Sequence, residues 1–224
     1  VWHHFMETPR RFPLPPGVPL NHDNPLLDFS GLPRFDEIQP GHVQPAIDAL
    51  VTEAETALAL AGHAPVGWDS IVTPLEDATE RLGRAWNQVG HLNAVVNTPA
   101  LREAYNAALP EVTRFYSRLG QDQALYAQYR ALADQADALG LDALQRRVLA
   151  HALRDFRLGG AALDEAERAR FSEIQQELAK LSSEFSEHVL DATDAFALYI
   201  EDAAELDGLP DDVLAAARDS AQRD

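Results

Sequence analysis

The 224-residue chain is 46% hydrophobic and has no cysteine, so it can bury a substantial core but cannot form a disulfide framework, a thiolate nucleophile or a cysteine-ligated zinc or iron–sulfur site. Its 36 acidic residues outnumber 18 basic ones, for a formal net charge of −18, and the only lysine is Lys180; that balance argues against nucleic acid and anionic membranes as partners. No apolar run approaches the roughly 18 residues of a membrane span, and no short apolar segment follows the first basic residues, so the expectation is a soluble, cytoplasmic protein.

In chain order, residues 1–35 read as an extended, proline-rich arm: Pro13, Pro15, Pro16, Pro19, Pro25 and Pro33 keep the backbone extended or turning. Apolar residues such as Leu26, Leu27 and Phe29 could lay its end across a neighbouring surface. From Pro40 the pattern becomes helical. Val43, Ala46, Ile47, Leu50, Val51, Ala54, Ala57, Leu58 and Ala61 fall on one face, and Gly62 and Pro65 close that helix. A second helix carries Ile71, Leu75, Ala78, Leu82, Ala85, Val89, Leu92 and Val96, and stops near Asn97. Thr98 as cap and Pro99 as first residue start a third, which holds a kink-prone Pro110 and ends at Gly120.

A fourth helix is expected over 123–138 and a fifth over 141–158, stopped by Gly159-Gly160. In a sixth, over 164–192, Phe171, Ile174, Leu178, Leu181 and Phe185 follow the a/d spacing of a coiled-coil seam. A second long helix can pack along such a seam; a domain taken by itself would leave it partly uncovered. Phe196 to Ile200 is β-prone, and Gly208-Leu-Pro210 leads into an alanine-rich helix from Asp211. The sequence stops within that helical pattern, which favours a fragment of a longer protein. The fold class is therefore mainly α, an antiparallel bundle of about six or seven helices, divided as arm (1–35), bundle (36–195) and a β-prone segment with the start of a following helix (196–224).

Chemistry is scarce. None of the eight histidines is followed by glutamate, so the His-Glu-x-x-His zinc motif is absent, and none has glutamate three positions earlier, as carboxylate-bridged di-metal bundles require. Glu184, His188 and Asp191 share one helix face at i, i+4 and i+7 and are the nearest approach to a ligand set; a solvated charge cluster accounts for them better. His42 and His91 read as structural, Trp68 and Trp86 as core packing. No nucleophile elbow, dinucleotide loop or phosphate loop is present. No catalytic, metal-binding or cofactor-binding residue is assigned.

Several strings are more particular than helical composition demands: Asn24-Pro-Leu-Leu27; residues 32–47, from Leu32-Pro-Arg-Phe-Asp to Gln44-Pro-Ala-Ile47; residues 91–99, His-Leu-Asn-Ala-Val-Val-Asn-Thr-Pro, with Leu101-Arg-Glu-Ala-Tyr105; residues 153–160; residues 185–193; and Glu205-Leu-Asp-Gly-Leu-Pro210. In that order they resemble the amino-terminal region of the thimet oligopeptidase family of zinc metallopeptidases, over about residues 24–218. The resemblance implies a cytoplasmic endopeptidase that cuts short unfolded peptides in a channel between two helical halves. Its zinc site lies in the carboxy-terminal part, so this chain would supply one channel wall, its partners being peptides and the catalytic domain, with no zinc of its own. The alternative is a free-standing, non-catalytic helical module that binds peptides or a protein.

Overall fold

Seven α-helices and three short 3₁₀ turns make up the regular structure of residues 24–222, the part that the computed structural model describes; residues 1–23, most of the expected arm, lie outside it. The helices are α1 (Pro40–Ala61), α2 (Trp68–Val95), α3 (Pro99–Gln121), α4 (Gln123–Asp134), α5 (Ala143–Leu158), α6 (Glu165–Asp194) and α7 (Asp211–Ala221). Among the described residues there is no strand. Phe196 to Ile200 is irregular, because β-prone side chains form a strand only where a second strand supplies ladder partners.

The helix ends follow from local chemistry. Asn97 adopts a left-handed φ of 45° and donates its backbone N–H to the Leu92 carbonyl at 3.2 Å, which closes α2. One residue later, the Thr98 hydroxyl accepts from Leu101 N–H and opens α3. The α3–α4 break rests on Asp122, whose carboxylate accepts from Leu125 N–H at 2.8 Å, so α3 runs through Gly120 rather than ending there. Asp142 with Gln145 and Asp164 with Glu167 form reciprocal capping boxes at the starts of α5 and α6. Pro45, Pro74 and Pro110 each remove one backbone donor, and α1, α2 and α3 continue through them.

The chain divides into two compact units, with the boundary between Leu181 and Ser182. In the first, α1 lies at the centre and packs mainly on α2 and α3. The amino-terminal half of α1 shares a core with the carboxy-terminal half of α2 and with α3 through Val43, Ile47, Leu50, Leu82, Val89 and Phe115, whereas Leu58 and Ala61 join Ile71 and Leu75 in a second core with α4 and α5. This crossed pairing of ends makes α1 and α2 an antiparallel hairpin. Leu26, fully buried, extends the first core: Asn24 accepts from Leu26 N–H and donates to the His42 carbonyl at 2.9 Å, pinning the Pro25–Leu27 turn onto α1. The end of the proline-rich stretch is thus turned and packed rather than extended.

Gly159 and Gly160 do more than stop α5. A Cβ on Gly159 would meet the Gly120 carbonyl at 3.0 Å, and Gly160 has φ near +95°, so the pair permits both a close approach to the end of α3 and a left-handed turn. The helix that follows leaves its apolar seam largely uncovered. No residue of α6 is buried, and its seam positions Ile174, Leu178 and Leu181 stay 41%, 51% and 49% exposed. The a/d spacing specifies an apolar face; among the described residues no second long helix covers it.

The second unit holds the end of α6, a 3₁₀ turn at Ala203–Leu206 capped by Asp202, and α7. Phe185, Phe196, Leu198 and Tyr199 are all exposed there.

Candidate functional site

The residues singled out from sequence separate into structural ones and one cluster that does not assemble. His42 accepts from the Gln39 N–H through Nδ1 at 3.1 Å, which fixes the first turn of α1, and His91 packs its ring 5.3 Å from that of Phe35. Trp68 and Trp86 are half-buried against the second and first cores respectively, and Trp86 stacks nearly parallel on Tyr105 at 4.6 Å. Among the described residues no group of three or more His, Asp or Glu side chains could hold a metal ion, Glu184, His188 and Asp191 included.

Of the open clefts in the first unit, two lie where α6 begins beside the carboxy-terminal half of α3. The first is aromatic: Trp86 from α2, Tyr116 and Gly120 from α3 and Phe171 from α6 line it, with Gln175 and Ser117 as polar members, and its volume is about 420 Å3. Burial raises the Tyr116 phenol above its usual range. The second cleft, about 380 Å3, is lined by Arg114, Arg118, Gln121, Asp122, Gln123, Arg168 and Ser172. Three guanidinium groups in one cleft stand apart from a chain whose formal charge is −18.

Neither cleft was singled out from sequence. Arg114, Arg118 and Gln121 recur at i, i+4 and i+7 on α3, so one polar face could have been read there. Arg168, however, reaches it from another helix, and only the Gly159-Gly160 turn brings α6 back.

Other charges hold the helices together. The buried Glu53 carboxylate of α1 pairs with Arg81 of α2. On the α1–α3 seam the Gln44 amide donates to Asp48 at 2.6 Å and to Glu111 at 3.1 Å. Burial and then the adjacent Asp48 carboxylate raise Glu111 above the ordinary 4.5, against smaller opposing effects from Gln44 and Arg114. Glu76 is likewise raised, by burial first and then by Asp77.

Comparison with known proteins bears directly on this helical unit. The family described as Neurolysin/Thimet oligopeptidase, N-terminal domain, matches residues 47–168, more than half of the chain and all of α2 to α5. Oligopeptidase A of Haemophilus influenzae is 39% identical over 204 residues, which cover 91% of this chain and 30% of that protein. Oligopeptidase A of Escherichia coli is 38% identical, over 89% of this chain and 30% of its own length. A protein named probable cytosolic oligopeptidase A in Arabidopsis thaliana is 38% identical over 85% of this chain and 27% of its own. The chain thus spans about 30% of the length of the curated relatives it matches. Among the described residues no helix is long and apolar enough to cross a membrane.

Proposed function

This chain belongs to the neurolysin/thimet oligopeptidase family, as its amino-terminal domain, and on that premise we propose that it forms one wall of the substrate channel of an oligopeptidase-A-like zinc metalloendopeptidase. The observation that carries the reading is the family match over residues 47–168, which hold most of both cores. In this reading residues 36–195 are the bundle that presents the wall, and residues 196–224 begin the segment that follows it in sequence. The protein works in the cytoplasm on short unfolded peptides, which a narrow channel admits while it excludes folded proteins.

The work of the wall is binding and orientation rather than bond cleavage. A rigid helical surface that holds a flexible peptide in one register lowers the entropic part of the barrier for chemistry performed elsewhere. Zinc, bound by the remainder of such an enzyme, supplies the Lewis acid and the activated water. The residues described here do not gather a donor set for it. What they offer is the aromatic cleft of Trp86, Tyr116 and Phe171, which suits the apolar side chains of an extended peptide.

A hybrid enzyme tests the reading. The first 30% of Escherichia coli oligopeptidase A is replaced by this chain, and the product is assayed on a quenched fluorescent peptide of eight to ten residues. The expected result is a soluble, zinc-loaded hybrid that cleaves the peptide, while the present chain with added zinc cleaves nothing. A folded, zinc-loaded hybrid without peptidase activity would overturn the assignment.

A further inference from the structure

The arginine cleft lies outside the aromatic surface invoked above and has a chemistry of its own. Its guanidinium groups are not equally engaged. Arg118 donates to the Glu55 carboxylate at 2.8 Å, a half-exposed pair. Arg168 donates one Nη to the Leu163 carbonyl at 2.9 Å, a bond to neutral backbone that orients the group without neutralising it. Arg114 lies close enough to Glu111 to be felt electrostatically, but among the described residues neither Arg114 nor Arg168 has a carboxylate within ion-pair distance. Asp122 is the carboxylate in the lining, and it accepts from Leu125 N–H; in a protein with twice as many acidic as basic residues, three arginines against that one aspartate are an unusual local excess of positive charge.

A second observation points the same way. Gln121, at the end of α3, lines the cleft, and its side-chain amide nitrogen is buried without an acceptor. Its oxygen accepts only a long 3.4 Å bond from the Ser172 hydroxyl. Turning the amide over would leave the oxygen as the unsatisfied atom, so one polar atom stays unpaired in either orientation. A buried donor without a partner is costly, and turning the Gln121 side chain into the cleft, onto an acceptor held between it and the two guanidinium groups, would relieve it. Planar guanidinium forks suit a two-oxygen acceptor.

We propose that the cleft of Arg114, Gln121 and Arg168 is an oxyanion subsite that takes a carboxylate of a bound peptide, its free carboxy terminus above all. The proposal rests on the peptide-binding reading and adds polarity to it. With the carboxylate anchored at the arginine cleft, the body of the peptide runs from α3 onto the wall with a fixed direction. The subsite also offsets the repulsion that a strongly acidic protein exerts on the charged end of its ligand.

The test is fluorescence anisotropy at low ionic strength with this chain and an amino-terminally labelled hexapeptide, Leu-Ala-Phe-Ala-Leu-Ala, as the free acid and as the carboxy-terminal amide. The free acid is expected to bind about tenfold more tightly, the gain typical of charge-assisted hydrogen bonds. Arg114→Gln, at an exposed position away from either core, should abolish most of that difference with helix content unchanged by circular dichroism. Adding Arg168→Gln should abolish the rest. Equal affinity of acid and amide overturns the subsite but leaves the wall reading standing; absence of binding by both counts against both. Inorganic phosphate that displaces the acid peptide at far lower concentration than acetate would identify a free-phosphate site and overturn the peptide carboxylate.

Discussion

Helices α2 and α6 are alike on paper and opposite in the fold. They have 28 and 30 residues, and each carries apolar side chains at steps of three and four. Yet α2 buries Ile71, Val72, Leu75, Ala78, Leu82, Ala85, Val89 and Leu92, and α6 buries nothing. The difference is in what surrounds them. Helix α2 is the return arm of a hairpin whose other arm, α1, is apolar enough to be enclosed by α2, α3 and α4; no helix among the described residues does this for α6. Periodicity therefore decides that a segment is helical and which face is apolar, while burial depends on a partner elsewhere in the chain or beyond it.

Substitution at matched positions is the most severe test of that contrast. Leu82→Ala, at a fully buried site, is expected to cost about 2–5 kcal/mol of unfolding free energy by urea denaturation followed by circular dichroism. Leu178→Ala, at a half-exposed site on α6, should stay within about 0.5 kcal/mol. A comparable loss at Leu178 would mean that the α6 stripe is covered in solution and that the contrast is wrong. Charges give a smaller version of the same comparison. Glu53→Ala strips Arg81 of its buried partner and should cost about 1–3 kcal/mol. Glu173→Ala breaks the exposed Arg170–Glu173 pair on α6 and should cost less than about 0.5 kcal/mol.

The helix starts and stops were nearly all legible because they are local. Thr98-Pro99, Gly159-Gly160 and the Gly62 stop act through their own φ/ψ preferences and hydrogen bonds, and the structure uses each of them. Gly120 misled because a glycine near the end of a helix is permissive rather than obligatory, and Asp122 was the stronger signal. The pairing of helix ends, the covering of Leu26 and the convergence of Arg114 with Arg168 were not legible, since each depends on residues far apart in sequence. The Asn24-Pro-Leu-Leu27 string makes a tertiary contact that no hydrophobic period encodes: Asn24 spans from its own turn to the His42 carbonyl.

Caps sharpen the comparison at about 1 kcal/mol. Asp142→Ala removes the carboxylate that receives Gln145 N–H at the start of α5, and global stability should fall by about 1 kcal/mol. Asp164→Ala removes the equivalent bond at the start of α6. Because α6 contributes no buried residue, the expected effect is local: faster amide hydrogen exchange in its first turn, with core amides of α1 and α2 unchanged. Loss of protection across α1 as well would show that α6 is coupled to the core.

The smallest expected effect concerns whether packing reaches the surface charges of α1 and α3. Burial, and then Asp48, raise the Glu111 carboxyl above its ordinary 4.5. A carboxyl raised in the folded state binds more protons there than in the unfolded chain, so its contribution to stability is greatest at low pH and is lost as pH rises through the ordinary carboxylate range to the raised value. Glu111→Gln removes that loss while keeping an amide oxygen to receive Gln44. The variant should therefore match the parent in acid and become slightly the more stable protein as pH approaches neutrality, read as melting temperatures between pH 4 and 7. Asp48→Asn should give the same sign, since it removes the neighbouring charge that helps raise Glu111. If the advantage of Glu111→Gln failed to grow with pH, the Gln44 bridge and Arg114 would outweigh burial. The seam between α1 and α3 would then favour the charged carboxylate, and close packing there would carry no electrostatic penalty.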